Sequence, residues 1–453
     1  MNYLLKCDNM PKKRGRDTME FETLKKSHLK RNIIIGVVAV LIVSAIILNF
    51  TRAKFRTTES IPLVNGTINY NLAVLNAVAI YINGDSGYTK SDTIPESGYV
   101  LNEEESYCTI DGNRDDNISL SYDVDTKSLS VTPMTTQGTK CYLYFDEKGI
   151  TNIEELIASK NLATRTDFST TLTEDTTGTI YYEDTSKGTT YYFAGNPTDN
   201  WVRWAGFYWR IIRINEDGSL RLIYQGTSAN ATGTGTQIGT SDFSRDNLYN
   251  DNMYVGYMYQ SGQVHGLTTD SLIKNELDTW YTNNLSSHAN DIDENAGFCG
   301  DRTPSTSISS SNGQGGTGRT YTYYGAYIRL VTNKQPTFDC LSEDLYTTSG
   351  SSEGNKALQY PIGLISADEV AYAGGVNATN NQSYYLYTNS NYWTMSPYWY
   401  GNSYARVFLV WAAGRLTFYN VDDAWGVRPV VNLKADTQFS EGNGTSKTPF
   451  VVS

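Results

Sequence analysis

Histidine is nearly missing from this chain: three among 453 residues, so proton transfer near neutral pH has little of its usual material. There is no GxSxG, no HExxH and no Cys–His arrangement, which leaves the common hydrolase chemistries without their residues. No CxxC spacing occurs, so zinc lacks its usual ligand pattern. The acidic turn Asp111, Asn113, Asp115 and Asp116 imitates half a calcium loop. Its Gly112 stands in the wrong place and no bidentate Glu follows at the twelfth position, so it reads as a solvated turn. No metal, no cofactor and no catalytic residue is expected. Basic charge is also scarce over most of the length. Residues 1–56 hold 12 Lys and Arg against 4 Asp and Glu, which leaves −20 of the net −12 for the remainder. Such an acidic bulk cannot displace counterions from a phosphate backbone, so nucleic acid is excluded as a partner. There is no internal repeat.

Aromatic and small polar residues are plentiful. The 35 tyrosines, with abundant Thr, Ser, Asn and Gly, fit a β-rich extracellular protein. Ile33 to Phe50 is an uncharged 18-residue run, about 27 Å as a helix and close to a bilayer core of roughly 30 Å. Nine Lys and Arg precede it and Arg52, Lys54 and Arg56 follow, so the expectation is a single-pass anchor with the N-terminus cytosolic and the bulk outside. The long apolar run and the absence of a small-x-small site argue against a cleaved signal peptide. Cys7 would then be cytosolic, leaving Cys108, Cys141, Cys299 and Cys340 to pair. Three pairings are possible. Cys108–Cys141 and Cys299–Cys340 are favoured because each couple lies within one proposed domain.

The expected organisation is a basic tail over 1–32, the membrane helix over 33–50, a small β domain over 61–147, a helix and linker over 148–183, and a main domain over 184–453. Leu72, Val74, Val78 to Ile82, Ile118 to Tyr122, Ser128 to Val131 and Cys141 to Phe145 read as strands of the small domain. Phe207 to Ile212 alternates, Asn215-Glu216-Asp217-Gly218 turns, and Leu220, Leu222 and Tyr224 face back. Thr268 to Leu285 is an amphipathic helix carrying Ile273, Leu277, Trp280 and Tyr281 on one stripe. A second helix opens with the capping box Ser366–Glu369 and closes at Gly374-Gly375. The polar stretches 226–242 and 303–320 read as surface loops, and His265 and His288 as exposed.

The stretch from Tyr384 to Lys434 alternates like a β-meander. Val407, Leu409 and Trp411 would share one face of a strand, with Arg406, Phe408 and Val410 on the other. Trp393, Trp411, Trp425 and Phe418 are expected in the core, and Arg428 as a structural partner of a carboxylate or carbonyl. Three large aromatics on a loop are hard to bury together. The candidate ligand-binding residues are therefore Tyr398, Trp399, Tyr400, Asn402, Tyr404, Arg406, Phe408, Tyr419, Asp422 and Asp423.

Residues 184–453 resemble the C-type lectin-like domains related to the formylglycine-generating (sulfatase-modifying) fold, and an uncharacterised family of Gram-positive membrane-anchored surface proteins. The resemblance is carried by YYFAGNPTDNWVRWAGFYWRIIRINEDGSLRLIYQG, YPIGLISADEVAYAGG, YWTMSP, WGVRPVVNLK and GNGTSKTPFVV. Residues 61–147, ending KCYLYFDE, resemble the cysteine-paired module that often precedes such a domain. The family's enzymatic branch uses a reactive cysteine pair near the C-terminus, and here no cysteine follows Cys340. The triplets of calcium-dependent lectins are missing too. Tyr392 to Pro397 and Gly426 to Pro429 bracket a segment similar to those of diversity-generating retroelement targets. The expected fold class is α+β: one transmembrane helix, a small β domain, then a C-type lectin-like domain with short strands and two helices. The expected function is membrane-anchored binding of a protein or glycan ligand. The alternative is a cell-envelope glycan- or peptidoglycan-acting hydrolase using carboxylates such as Asp242, Asp246 or Asp422.

Overall fold

The structure is a computed structural model that describes residues 76–84, 87–95, 99–123, 128–133, 139–245, 250–315 and 321–453. The expected tail 1–32 and apolar run 33–50 lie outside the described residues, as do Leu72, Val74 and Asp246. The chain divides into two compact units, residues 1–147 and 148–453.

In the first unit, Lys140–Glu147 is the organising strand. It pairs in parallel with Asn76–Ile82 and antiparallel with Tyr99–Leu101 and Tyr107–Ile110. Its alternation is legible in the burial: Cys141, Leu143 and Phe145 point inward, the residues between them outward. Cys108 stands directly opposite Cys141, and the two form a disulfide that pins the pair of strands. Leu120, Leu129 and Val131 from the hairpin Ser119–Asp123/Ser128–Thr132 close this core.

The second unit is built on two sheets that share one apolar core. In the nine-stranded sheet, Phe207–Ile214 pairs with Trp201–Trp204 on one side and with Leu220–Gly226 through the Asn215–Gly218 turn on the other. Leu220–Gly226 then pairs with Val430–Leu433. Residues 148–183, expected as a helix and linker, supply the Asn152-capped helix Ile153–Ala158 and the strand Asn161–Ala163. That strand lies parallel to Thr179–Thr185 at the end of this same sheet. In the six-stranded sheet the order is Gly239–Ser241, Trp425–Val427, Tyr392–Gly401, Tyr404–Val410, Leu416–Asn420, with Thr322–Tyr323 added to Tyr392–Gly401.

Two helices flank the sheets. Leu272–Asn284 starts from Ser271, whose side chain accepts the Lys274 N–H, and buries Ile273, Leu277 and Tyr281. Ala367–Ala373 carries the expected capping box of Ser366 and Glu369 and ends at Gly374 with φ of 118°.

The α+β class with a spanning helix is overturned. Strand makes up 36% and helix 14%, so the fold is β-dominated. No helix among the described residues is long and apolar enough to cross a membrane. The longest, Leu272–Asn284, has 13 residues, about 20 Å at 1.5 Å per residue, and carries Lys274, Glu276 and Asp278. The expected single-pass placement falls with it.

Candidate functional site

The meander between Tyr392 and Asn420 forms as its turns dictate. Gly401 pairs with Tyr404, so Asn402 and Ser403 make a two-residue hairpin loop with φ of 53° and 65°. Two positive φ values are the requirement of the turn that matches strand twist, and Asn accepts that region readily. Gly414, φ 80°, closes the next turn, where the Trp411 N–H donates to the Arg415 carbonyl at 2.9 Å.

Directly opposed residues share a face, and the register fixes which ones do. Tyr323 opposes Trp399, Trp399 opposes Arg406, and Arg406 opposes Asn420. The result is a rack of flat groups standing across four strands. Tyr323 and Trp399 lie 5.3 Å apart at 17°, Tyr321 and Trp399 6.0 Å apart at 10°. The Arg406 guanidinium sits 4.8 Å over the indole and 5.5 Å over the Tyr404 ring. Its Nη1 donates to the Gly401 carbonyl at 3.0 Å, and no carboxylate stands within ion-pair distance of it among the described residues. The Tyr321 hydroxyl donates to Asn402 Oδ1 at 3.1 Å. Trp399, Tyr321, Tyr323, Arg406 and Phe418 are half-buried, while Asn402 and Tyr404 are exposed.

The expected site does not assemble as one surface. Tyr398 is 7% exposed and Tyr400 and Phe408 are fully buried, so these three are corrected from ligand contacts to core. The physical reason is pairing. They lie on strands held from both sides, and the segment around 400 is no loop. Tyr398 stacks on Phe418 at 4.2 Å and meets Tyr327 and Phe408 edge-on. The Tyr400 hydroxyl donates to the Asn250 carbonyl at 2.6 Å. Tyr419 opposes Val407 and therefore faces away from Arg406. It stacks on Trp411 at 5.3 Å, with Trp425 edge-on at 5.0 Å. Asp422 is exposed nearby, and Asp423 is half-buried, its carboxyl pushed up by burial and by Asp422. Trp393 takes its expected core place, whereas Trp411, Trp425 and Phe418 are only half-buried. Arg428 is fully buried, donating to the Tyr224 carbonyl and to Gln225 Oε1.

Tyr321, Tyr323 and Tyr327 escaped sequence reasoning. Their signal is the alternating aromatic run after the polar stretch 303–320, seventy residues from the strand it pairs with. His265 was misjudged as well. Its Nδ1 lies 2.9 Å from Asp344 Oδ1, and Asp344 is buried.

Elsewhere, two groups of buried charge are paired. Glu369 faces Arg221 at 2.5 Å and Arg213 at 3.2 Å, and Arg329 bridges Asp301 and Asp368 at 2.6 and 2.8 Å. Burial pushes the Glu369 carboxyl up, but Arg221 and Arg213 with the Ser366 N–H hold it below its ordinary value. The cavity among these groups is about 60 Å³, room for little more than water. The Cys299–Cys340 disulfide lines its wall. No group of three His, Cys, Asp or Glu among the described residues could hold a metal. No family model, curated protein or solved structure matches this chain.

Proposed function

We propose that this chain is a non-catalytic binding protein, and that the rack of Tyr321, Tyr323, Trp399 and Arg406 receives a glycan. The observation that carries the reading is the parallel stack across three strands, half-open to solvent and ending in an arginine without a carboxylate among the described residues. Sugars offer C–H faces and edges to aromatic groups, and hydroxyls to donors and acceptors such as Arg406 and Asn402. The rings are locked by strand pairing, so little ordering entropy is lost on binding.

A protein ligand fits less well. The exposed large apolar side chains of this unit, Leu162, Leu272, Ile308, Leu341 and Tyr404, come from separate stretches and offer a partner little apolar area. A hydrolase finds little support among the expected carboxylates. Asp242 is buried and held by Arg245 at 2.5 and 2.9 Å, and Asp422 is exposed beside the half-buried Asp423. Two disulfides fit a protein that works in an oxidising environment.

The full chain is screened against immobilised oligosaccharides and hits are measured by calorimetry. Wild type should bind at least one glycan without cleaving it, and Trp399→Ala should weaken binding about tenfold or more while the protein stays folded. Glycan turnover, or binding confined to proteins, would overturn the reading.

A further inference from the structure

The polar stretch 303–315 folds into a wall beside the aromatic rack. It satisfies the outer edge of the strand that carries Tyr321 and Tyr323. Ser305 and Ser310 N–H groups donate to the Tyr323 and Tyr321 carbonyls at 2.7 Å, and the N–H groups of those tyrosines donate to Ser309 and Ser310 Oγ. Between this wall and Val264-His265 runs an open groove of about 760 Å³ lined by Thr303, Pro304, Thr306 and the serines 309–311. Among the described residues its lining carries no Lys, Arg, Asp or Glu.

Among the described residues His265 is the one ionisable group that lines the groove, and its orientation is built. Asp344, its side chain 4% exposed, accepts the Arg302 N–H at 2.9 Å, the Thr303 N–H at 3.3 Å and the Thr303 hydroxyl at 2.9 Å. His265 Nδ1 occupies the remaining position at 2.9 Å. A carboxylate so surrounded stays ionised and fixes the proton on Nδ1. Nε2 has no partner among the described residues, on a ring 28% exposed; it accepts in the neutral ring and donates once the ring is protonated, and a sugar hydroxyl can meet either form.

We propose that this groove is a second subsite for the same ligand, a neutral oligosaccharide, with His265 Nε2 hydrogen-bonded to a sugar hydroxyl. The proposal rests on the glycan reading of the Trp399 rack. One strand joins the two: its side chains stack in the rack and its backbone edge holds the wall of the groove. The proposal therefore requires a ligand long enough to pass from one side of that strand to the other. The hydroxyl lining and the lack of fixed charge favour an uncharged, hydroxyl-rich ligand.

The test uses the full chain with ring-labelled histidine, of which there are only three to assign. The probes are chitobiose and chitohexaose, cellobiose and cellohexaose. In wild type a hexasaccharide should shift the His265 Nε2 resonance, the disaccharide should not, and the longer ligand should bind about tenfold more tightly. His265→Gln should erase that advantage of length. Thr306→Trp, which fills the groove without touching Asp344, should do the same even if the first variant is unstable. If hexasaccharides bind, Trp399→Ala abolishes binding, and both groove variants keep the full length dependence, the second subsite is refuted and the rack survives. If none of the four probes binds, the neutral-chain assignment is refuted here, while the rack is judged separately by the immobilised screen.

Discussion

Arg406 and Arg221 are housed differently in the second unit, and the contrast sets a half-open arginine against a buried, ion-paired one. Arg406 lies on the Trp399 ring, half-open, donating to a backbone carbonyl, with no carboxylate beside it among the described residues. Arg221 is buried with its guanidinium against Glu369, which also draws Arg213. A charge that keeps contact with water needs no counter-charge, while one removed from water needs a partner. The first arrangement leaves the guanidinium half-open, as the proposed glycan reading requires, and the second commits it to holding strands Phe207–Ile214 and Leu220–Gly226 to the helix Ala367–Ala373.

Substitutions should divide along the same line. The largest effect falls in the buried layer: Glu369→Ala leaves the buried Arg221 without a carboxylate and Arg213 with only Glu216, and should destabilise the protein by about 3–5 kcal/mol, read by denaturant unfolding. An unchanged midpoint would mean that the layer is not structural. Next comes the disulfide at the cavity wall. Cys340→Ser opens a loop of sequence separation 41 and should lower stability by about 2–4 kcal/mol. In the aromatic rack the expectation reverses. Arg406→Ala should leave the unfolding midpoint within about 1 kcal/mol of wild type yet weaken glycan binding several-fold, since truncation there uncovers no unpaired charge. A large loss of stability would erase the contrast between the two regions.

The smallest effect is the pH dependence of the His265–Asp344 pair. The hydrogen bond to Asp344 raises the His265 pKa above 6.5. Burial pushes the Asp344 carboxyl up, but the bond and charge of His265 with the Arg302 and Thr303 donors bring it below 3.8. The sign follows for each group. The His265 contribution is complete below 6.5 and fades as pH rises through its raised value; the Asp344 contribution is complete above 3.8 and fades as pH falls through its lowered one. Thermal unfolding should therefore show a plateau between those limits. His265→Gln should remove the loss on the alkaline side and leave the acid side mostly in place.

Local features of this fold were legible in the sequence. The Ser366–Glu369 box, the Asn215–Gly218 turn, the alternation of Cys141, Leu143 and Phe145, and the assignment of Cys299 to Cys340 all rest on patterns confined to a few residues or to one domain. The site was half legible. Trp399, Asn402, Tyr404 and Arg406 do reach one face, but Tyr398, Tyr400 and Phe408 do not reach solvent, and Tyr419 turns to the other face. Alternation says which residues travel together and is silent on which face another element will cover. The lone histidine looked solvated because its carboxylate stands 79 positions away.

By itself the sequence determined the periodicities, the caps and the turns, since each of these is settled by backbone geometry or side-chain chemistry over short range, while for the cysteines it only favoured one of three pairings. Only the tertiary structure decided that Thr322–Tyr323 would add to Tyr392–Gly401, that the rings would stand in a rack with Arg406, and that Asp344 would sit behind His265. Those contacts depend on which surfaces meet when the core closes, and that is fixed by the sum of burial over the whole unit rather than by any one segment.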